Sequence, residues 1–286
     1  MHKDGKWARE ILSLQKENGQ WGFFHTLSEP SKAPMTTEQA LRRLQILGYD
    51  IRDGAIAKAV EYMSDCLRGA REIPDRKEKL HDWNLFTRLM LSAWIRRFTP
   101  ADPRANQTAR DWAAVVAGAF QSGRYEPGDY RAAYTGVFGQ APRGGRLADF
   151  VSFYQVSLLA GVLEPAAERL VMDYILQHPY GIYYVYNARL TEPPPEFASK
   201  AASRYIGALE LLAGYKNSGD KLRFAVEWLE QNRNADGKWD LGSQAKDGVY
   251  FPLSDNWRAR AVREADCTER ITRLLEQLSN EGTGAA

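Results

Sequence analysis

Apolar residues recur at intervals of three and four along most of this chain, the spacing that lines one face of an α-helix. In Ala57-Lys58-Ala59-Val60-Glu61-Tyr62-Met63 and Leu222-Arg223-Phe224-Ala225-Val226-Glu227-Trp228-Leu229 charged residues interrupt the apolar ones, so a helix there keeps one side in water. The pattern predicts half-exposed helices over 6–14, 54–67, 109–119, 165–176 and 221–231. A second set alternates with these, over 37–47, 83–94, 147–163, 198–213 and 266–278. Segments 83–94 and 147–163 are apolar nearly all round, which requires that they be enclosed.

The joints between paired helices share a phrase: Gln, a short loop with Gly, then an aromatic. It reads Gln15-Lys16-Glu17-Asn18-Gly19-Gln20-Trp21 at the start and Gln231-Asn232-Arg233-Asn234-Ala235-Asp236-Gly237-Lys238-Trp239 near the end. Weaker copies are Gln121-Ser122-Gly123-Arg124-Tyr125 and Gln177-His178-Pro179-Tyr180-Gly181-Ile182-Tyr183, and Cys66-Leu67-Arg68-Gly69 keeps only the glycine. Gln121, Gln177 and Gln231 are spaced 56 and 54 residues apart, and Gln15 stands 106 before Gln121, two periods of 53. A period of this size marks stacked supersecondary units, none of which buries its apolar face alone. The expected architecture is all-α: about five helical hairpins curving into an α/α toroid, one domain over 1–278 with a disordered tail over 279–286. Glycine supplies the left-handed turn that ends each first helix. Trp21 and Trp239 then fold back over the helix end, while Gln15 and Gln231 bond free amides of a neighbouring helix.

Composition narrows the function without naming it. With 38 basic and 36 acidic residues spread along its length, the chain carries no electrostatic footprint for nucleic acid. The longest apolar run, 113–120, is too short to span a bilayer, and the N-terminus lacks the apolar stretch of a signal peptide. A cytoplasmic protein without membrane insertion is expected, and its two cysteines, Cys66 and Cys267, are expected to be free thiols. No metal or other cofactor is expected: His25, His81, Asp82, Asp266 and Cys267 suit zinc by type but lack tight ligand spacing. Walker, Rossmann, GxSxG and HExxH patterns are absent.

The phrases Gln15-x-x-x-Gly19-x-Trp21 and Gln231-x-x-x-x-x-Gly237-x-Trp239 resemble the QW repeats of the squalene cyclase and protein prenyltransferase superfamily. Thr36-Thr37-Glu38-Gln39-Ala40-Leu41-Arg42-Arg43-Leu44, followed by the Ala57–Met63 phrase, resembles small bacterial members. The resemblance implies a toroid with a central cavity for a small, partly apolar, isoprenoid-like ligand. It transfers no catalytic residue, because the chain has no Asp-Asp pair to make the acid of a triterpene cyclase and its Asp266-Cys267 are adjacent.

Candidate chemistry gathers where the second helices begin. His81, Asp82 and Asp266 are the catalytic candidates; Trp83, Tyr154, Tyr183, Arg204, Trp257 and Arg270 are the ligand-binding ones. Thr36, Asp82, Asp149 and Asp266 also suit helix N-caps. Arg88, Arg204 and Arg270 lie about a turn into apolar helices, where an arginine needs an ion pair, with Asp82, Glu38 or Asp266, or an anionic ligand. Two aromatic loops, 180–195 and 248–257, are long enough to be functional. Besides the isoprenoid-like reading, two remain: a carbohydrate-active barrel using paired carboxylates from Asp82, Asp149, Asp255 and Asp266, and a non-catalytic repeat scaffold.

Overall fold

The computed structural model describes residues 2–25, 34–77, 82–143, 149–246 and 253–281. Among these the fold is all-α, with only two isolated bridges of extended backbone, Ser152 with Tyr183 and Ile182 with Tyr186. No described helix is long and apolar enough to cross a membrane. The chain gathers into two compact units, the first from residues within 1–108 and 247–255, the second from 109–246 and 256–286.

The first unit holds α1 (Lys6–Ser13), α2 (Thr37–Ile46), α3 (Gly54–Arg68), α4 (Trp83–Phe98) and the start of α5 (Pro103–Ala119). Thr36 closes the front of α2 with a capping box: its hydroxyl accepts from the Gln39 amide while the Gln39 side chain accepts from the Thr36 amide. Asp82 caps α4 through Leu85 N at 2.9 Å. Along α4 every residue from Leu89 to Ile95 is buried, the polar Ser92 included, as its predominantly apolar character requires.

The second unit holds the rest of α5, then α6 (Pro127–Phe138), α7 (Phe153–Leu159), α8 (Pro165–Gln177), α9 (Lys200–Leu212), α10 (Ser218–Lys221), α11 (Arg223–Gln231) and α12 (Arg260–Glu281). Three of these depart from the periodic reading. Helix α6 has no place in a strict two-helix repeat; Pro127 starts it, Gly139 ends it left-handed, and only Tyr130 and Tyr134, four apart, are buried. Helix α7 covers seven residues of the expected 147–163, of which 147 and 148 lie outside the described residues, and residues 151–153 are drawn into extended pairing: Tyr183 N donates to Val151 O at 3.1 Å and Phe153 N to Tyr183 O at 3.0 Å. Helix α12 starts at Arg260, six residues before Asp266, so Asp266 lies inside the helix rather than at its N-cap.

The repeat is visible in backbone geometry. Gly19, Gly69, Gly123, Gly181 and Gly237 all have positive φ, between 57° and 91°. Each amide donates to the carbonyl three residues before it, on Lys16, Cys66, Phe120, His178 and Asn234. At Gly19 the turn lies so close to α3 that a Cβ would overlap the Lys58 carbonyl. The first and last copies match in detail. Trp21 is 1% exposed and donates from Nε1 to Ile11 O at 2.8 Å, while its amide donates to Thr37 Oγ1 at 2.9 Å. Trp239 is 2% exposed and donates from Nε1 to Leu229 O at 2.6 Å, with its amide on Thr268 Oγ1 at 3.2 Å. Both indoles therefore seal the end of the helix ten residues back, adding a second donor to a last-turn carbonyl that already accepts the amide three residues on, from Leu14 and Asn232. The glutamines behave differently from expectation. Gln15 Nε2 donates to two carbonyls, Gly19 O at 3.0 Å and Ala55 O at 2.8 Å, rather than receiving helix amides, and Gln231 is exposed.

Candidate functional site

A cleft of about 350 Å³ opens in the first unit between the C-terminal end of α3 and the first turns of α4. Its size is that of a small-molecule site. Cys66, Leu67, Ile73 and Leu91 give it an apolar lining, and Trp83 and Asn84 stand at the start of α4. Arg71, Lys77 and Arg88 contribute cationic groups, against Glu72 and Asp75 as acidic ones. Of the two acids, Asp75 is committed to the backbone: it accepts Phe24 N at 2.6 Å and His25 N at 2.8 Å. Arg71 pairs with Asp65 at 3.1 Å, and Arg88 Nε donates to Thr108 Oγ1 at 3.1 Å. Burial pushes the Cys66 thiol up, so at neutral pH it is protonated lining rather than a nucleophile.

Behind the cleft a buried network ties α2 to α4. Glu38 Oε2 lies 3.1 Å from His25 Nδ1, and its Oε1 accepts the Trp94 indole N–H at 2.9 Å with the Arg42 guanidinium 3.7 Å away. Burial acts to raise the Glu38 carboxyl, but the His25 bond, the Arg42 charge and the Trp94 bond outweigh it and hold the group below its usual range.

The residues expected to carry function are distributed as follows. Trp83 lines the cleft and Asp82 caps α4 beside it, while His81 lies outside the described residues. Asp266, 4% exposed, accepts the Trp257 indole N–H at 2.7 Å, so these two candidates are partners of one another. Cys267 is buried next to them, takes the Leu241 amide at 3.5 Å, and has its thiol pushed up to about 11 by burial. Arg270 is paired, but not with Asp82, Glu38 or Asp266. Its Nε and Nη2 meet both oxygens of Glu210 at 2.7 and 2.9 Å, and Nη1 donates to Ser203 Oγ at 2.9 Å. Arg204 is exposed, so the expectation that burial demands a partner for it does not apply. Tyr154 is buried with its ring 5.9 Å from Tyr184, and the Tyr183 ring lies 4.0 Å from the same Tyr184, tilted by 43°. Of the 248–257 loop, residues 248–252 lie outside the described residues.

No family model, curated protein or solved structure matches the chain.

Each carboxylate proposed for paired acid–base chemistry has a bond within its own unit. Asp82 caps a helix, Asp266 holds Trp257, and Asp255 accepts the Lys6 amide at 3.2 Å. Asp149 is not an N-cap; Ser152 precedes α7, and Asp149 spans a loop instead, with Oδ1 on the Val151 amide at 2.9 Å and Oδ2 facing His178 Nε2 at 2.9 Å. The His178–Asp149 pair was missed in the sequence because its members are 29 residues apart. The one available signal was a histidine in the fourth copy of the repeat phrase. Among the described residues no group of three or more His, Cys, Asp or Glu converges to hold a metal ion.

Proposed function

We propose that this chain binds a small ligand with an anionic head and an apolar or flat body, and that the ligand sits in the cleft between α3 and α4. The carrying observation is the composition of that cleft: three cationic side chains against two carboxylates, of which Asp75 is already committed to backbone amides, with an indole and an apolar lining, opening beside the N-terminus of a sixteen-residue helix. A helix start favours negative charge through its unpaired amides, and Trp83 offers a face for an apolar group. With the QW-like phrase in the sequence, isoprenoid diphosphates are the class to try first. The reading concerns binding and assigns no catalytic step.

Titration calorimetry with geranyl diphosphate, inorganic pyrophosphate and geraniol tests it. Geranyl diphosphate should bind most tightly. Trp83→Ala should weaken it by ~1–3 kcal/mol through lost apolar burial, and Lys77→Ala should weaken pyrophosphate as well. If none of the three binds, or if both variants bind as the parent does, the cleft is not the site.

A further inference from the structure

The loop 178–190 in the second unit is held more tightly than its connecting role requires. At its base His178 Nδ1 lies 3.1 Å from Gly181 O and its Nε2 2.9 Å from Asp149 Oδ2. Gly181 is in the left-handed region and packed so that a Cβ would overlap the carbonyls of Tyr186 and Ala188. Along one side Tyr183 exchanges backbone hydrogen bonds with Val151 and Phe153, and at the far end Tyr205 Oη donates to Leu190 O at 2.9 Å.

This frame holds a tight turn over 182–185, closed by Val185 N on Ile182 O at 3.0 Å. Tyr184 is its third residue, with φ of 70°. Glycine is favoured there, and Tyr184 is the only non-glycine with positive φ among the described residues. The strain is not spent on burying a ring, since Tyr184 remains 43% exposed and neighbouring Tyr180 is 75% exposed. A strained residue persists only where its surroundings over-determine it, and such residues cluster at binding sites.

We infer that the 178–190 loop is a preformed carbohydrate-binding platform, on which Tyr184, seated against Tyr183, stacks on the face of a pyranose ring. The weakly positive C–H groups of a sugar face suit the negative face of an aromatic ring. Arg189 in the loop and Glu192 just after it, exposed and paired at 2.9 Å, supply donors and an acceptor. Sugar hydroxyls both donate and accept, which matches that mixed set. This platform is independent of the α3–α4 cleft and of any ligand bound there.

The test uses the full chain and its Tyr184→Gly and Tyr180→Ala variants, with hexasaccharides of β-1,4-glucose, α-1,4-glucose, N-acetylglucosamine and xylose, and hexaproline as a competing probe. At least one saccharide should bind the parent saturably and lose tenfold or more affinity in Tyr184→Gly, while that variant melts no lower than the parent because glycine relieves the turn. Tyr180→Ala should fold normally and weaken the same saccharide. Absence of saccharide binding by the parent, binding of hexaproline alone, affinity unchanged in both variants, or a lower melting temperature for Tyr184→Gly would each overturn the inference.

Discussion

Arg233 stands where Gln15 stands. Each side chain donates from nitrogen to the carbonyl of the glycine four residues ahead, Gln15 Nε2 to Gly19 O and Arg233 Nε to Gly237 O, both at 3.0 Å. Each precedes by six residues a tryptophan that seals the helix end, and Arg233 also lies over the Trp239 ring at 5.0 Å. The residue that looks equivalent in sequence, Gln231, is two positions away and exposed. What the first and last copies share is a long side chain with an N–H that closes the glycine turn, and two different residue types meet that need. Arg233→Gln should therefore leave stability nearly unchanged, Arg233→Ala should lose about 0.5–1 kcal/mol, and Gln231→Ala should stay within about 0.5 kcal/mol of the parent. Chemical denaturation of the three variants decides it, and a larger loss at Gln231 than at Arg233 would refute the equivalence.

The two sealing tryptophans should be among the most sensitive positions. Trp239→Ala removes a buried ring and leaves Leu229 O without its indole partner, so a loss of ~3–5 kcal/mol is expected, with a similar figure for Trp21→Ala. Unfolding midpoints equal to that of the parent would show that the rings are not staples.

Arg270 and Arg204 should separate cleanly. Arg270→Ala strips Glu210 of both its bonds in a partly buried setting and should destabilise the fold by about 1–3 kcal/mol, whereas exposed Arg204→Ala should change it by no more than about 0.5 kcal/mol. Equal effects at the two sites would contradict the pairing described for Arg270.

Glu38 should make part of the fold's stability acid-sensitive. Its folded-state carboxyl lies below the usual value of 4.5, so its contribution is fully present above that value and is lost as pH falls through the lower, folded one. Glu38→Gln should therefore be less stable than the parent at pH 7, with the difference shrinking below pH 4.5. A difference independent of pH would assign the network's role to shape rather than charge.

Cys267 should resist alkylation in the folded protein. Burial raises its thiol to about 11, so the protonated form is favoured by folding; that stability is present below the unfolded thiol value and declines as pH rises through 11. Iodoacetamide at pH 8 should label Cys267 rapidly only in denaturant, as read by mass spectrometry of the labelled peptides. Rapid labelling of the native chain would show that the site opens.

Periodicity and capping signals in the sequence determined the all-α class, the placement of α1 to α4, α8, α9 and α11, the caps at Thr36 and Asp82, and the glycine turns. These are settled by interactions within about four residues, which a sequence displays directly. Tertiary structure alone decided the rest. The start of the apolar stretch before α7 yields to extended pairing with Tyr183, whose backbone offers residues 151–153 partners that a helix would have to break. Helix α6 forms around two glycines because Tyr130 and Tyr134 are buried, outweighing poor local propensity. Arg270 finds Glu210 and His178 finds Asp149 across 60 and 29 residues, and the left-handed Tyr184 is imposed by a frame assembled from several separate segments. Such pairings are selected by which side chains folding brings within bonding distance, and no local spacing along the chain encodes that distance.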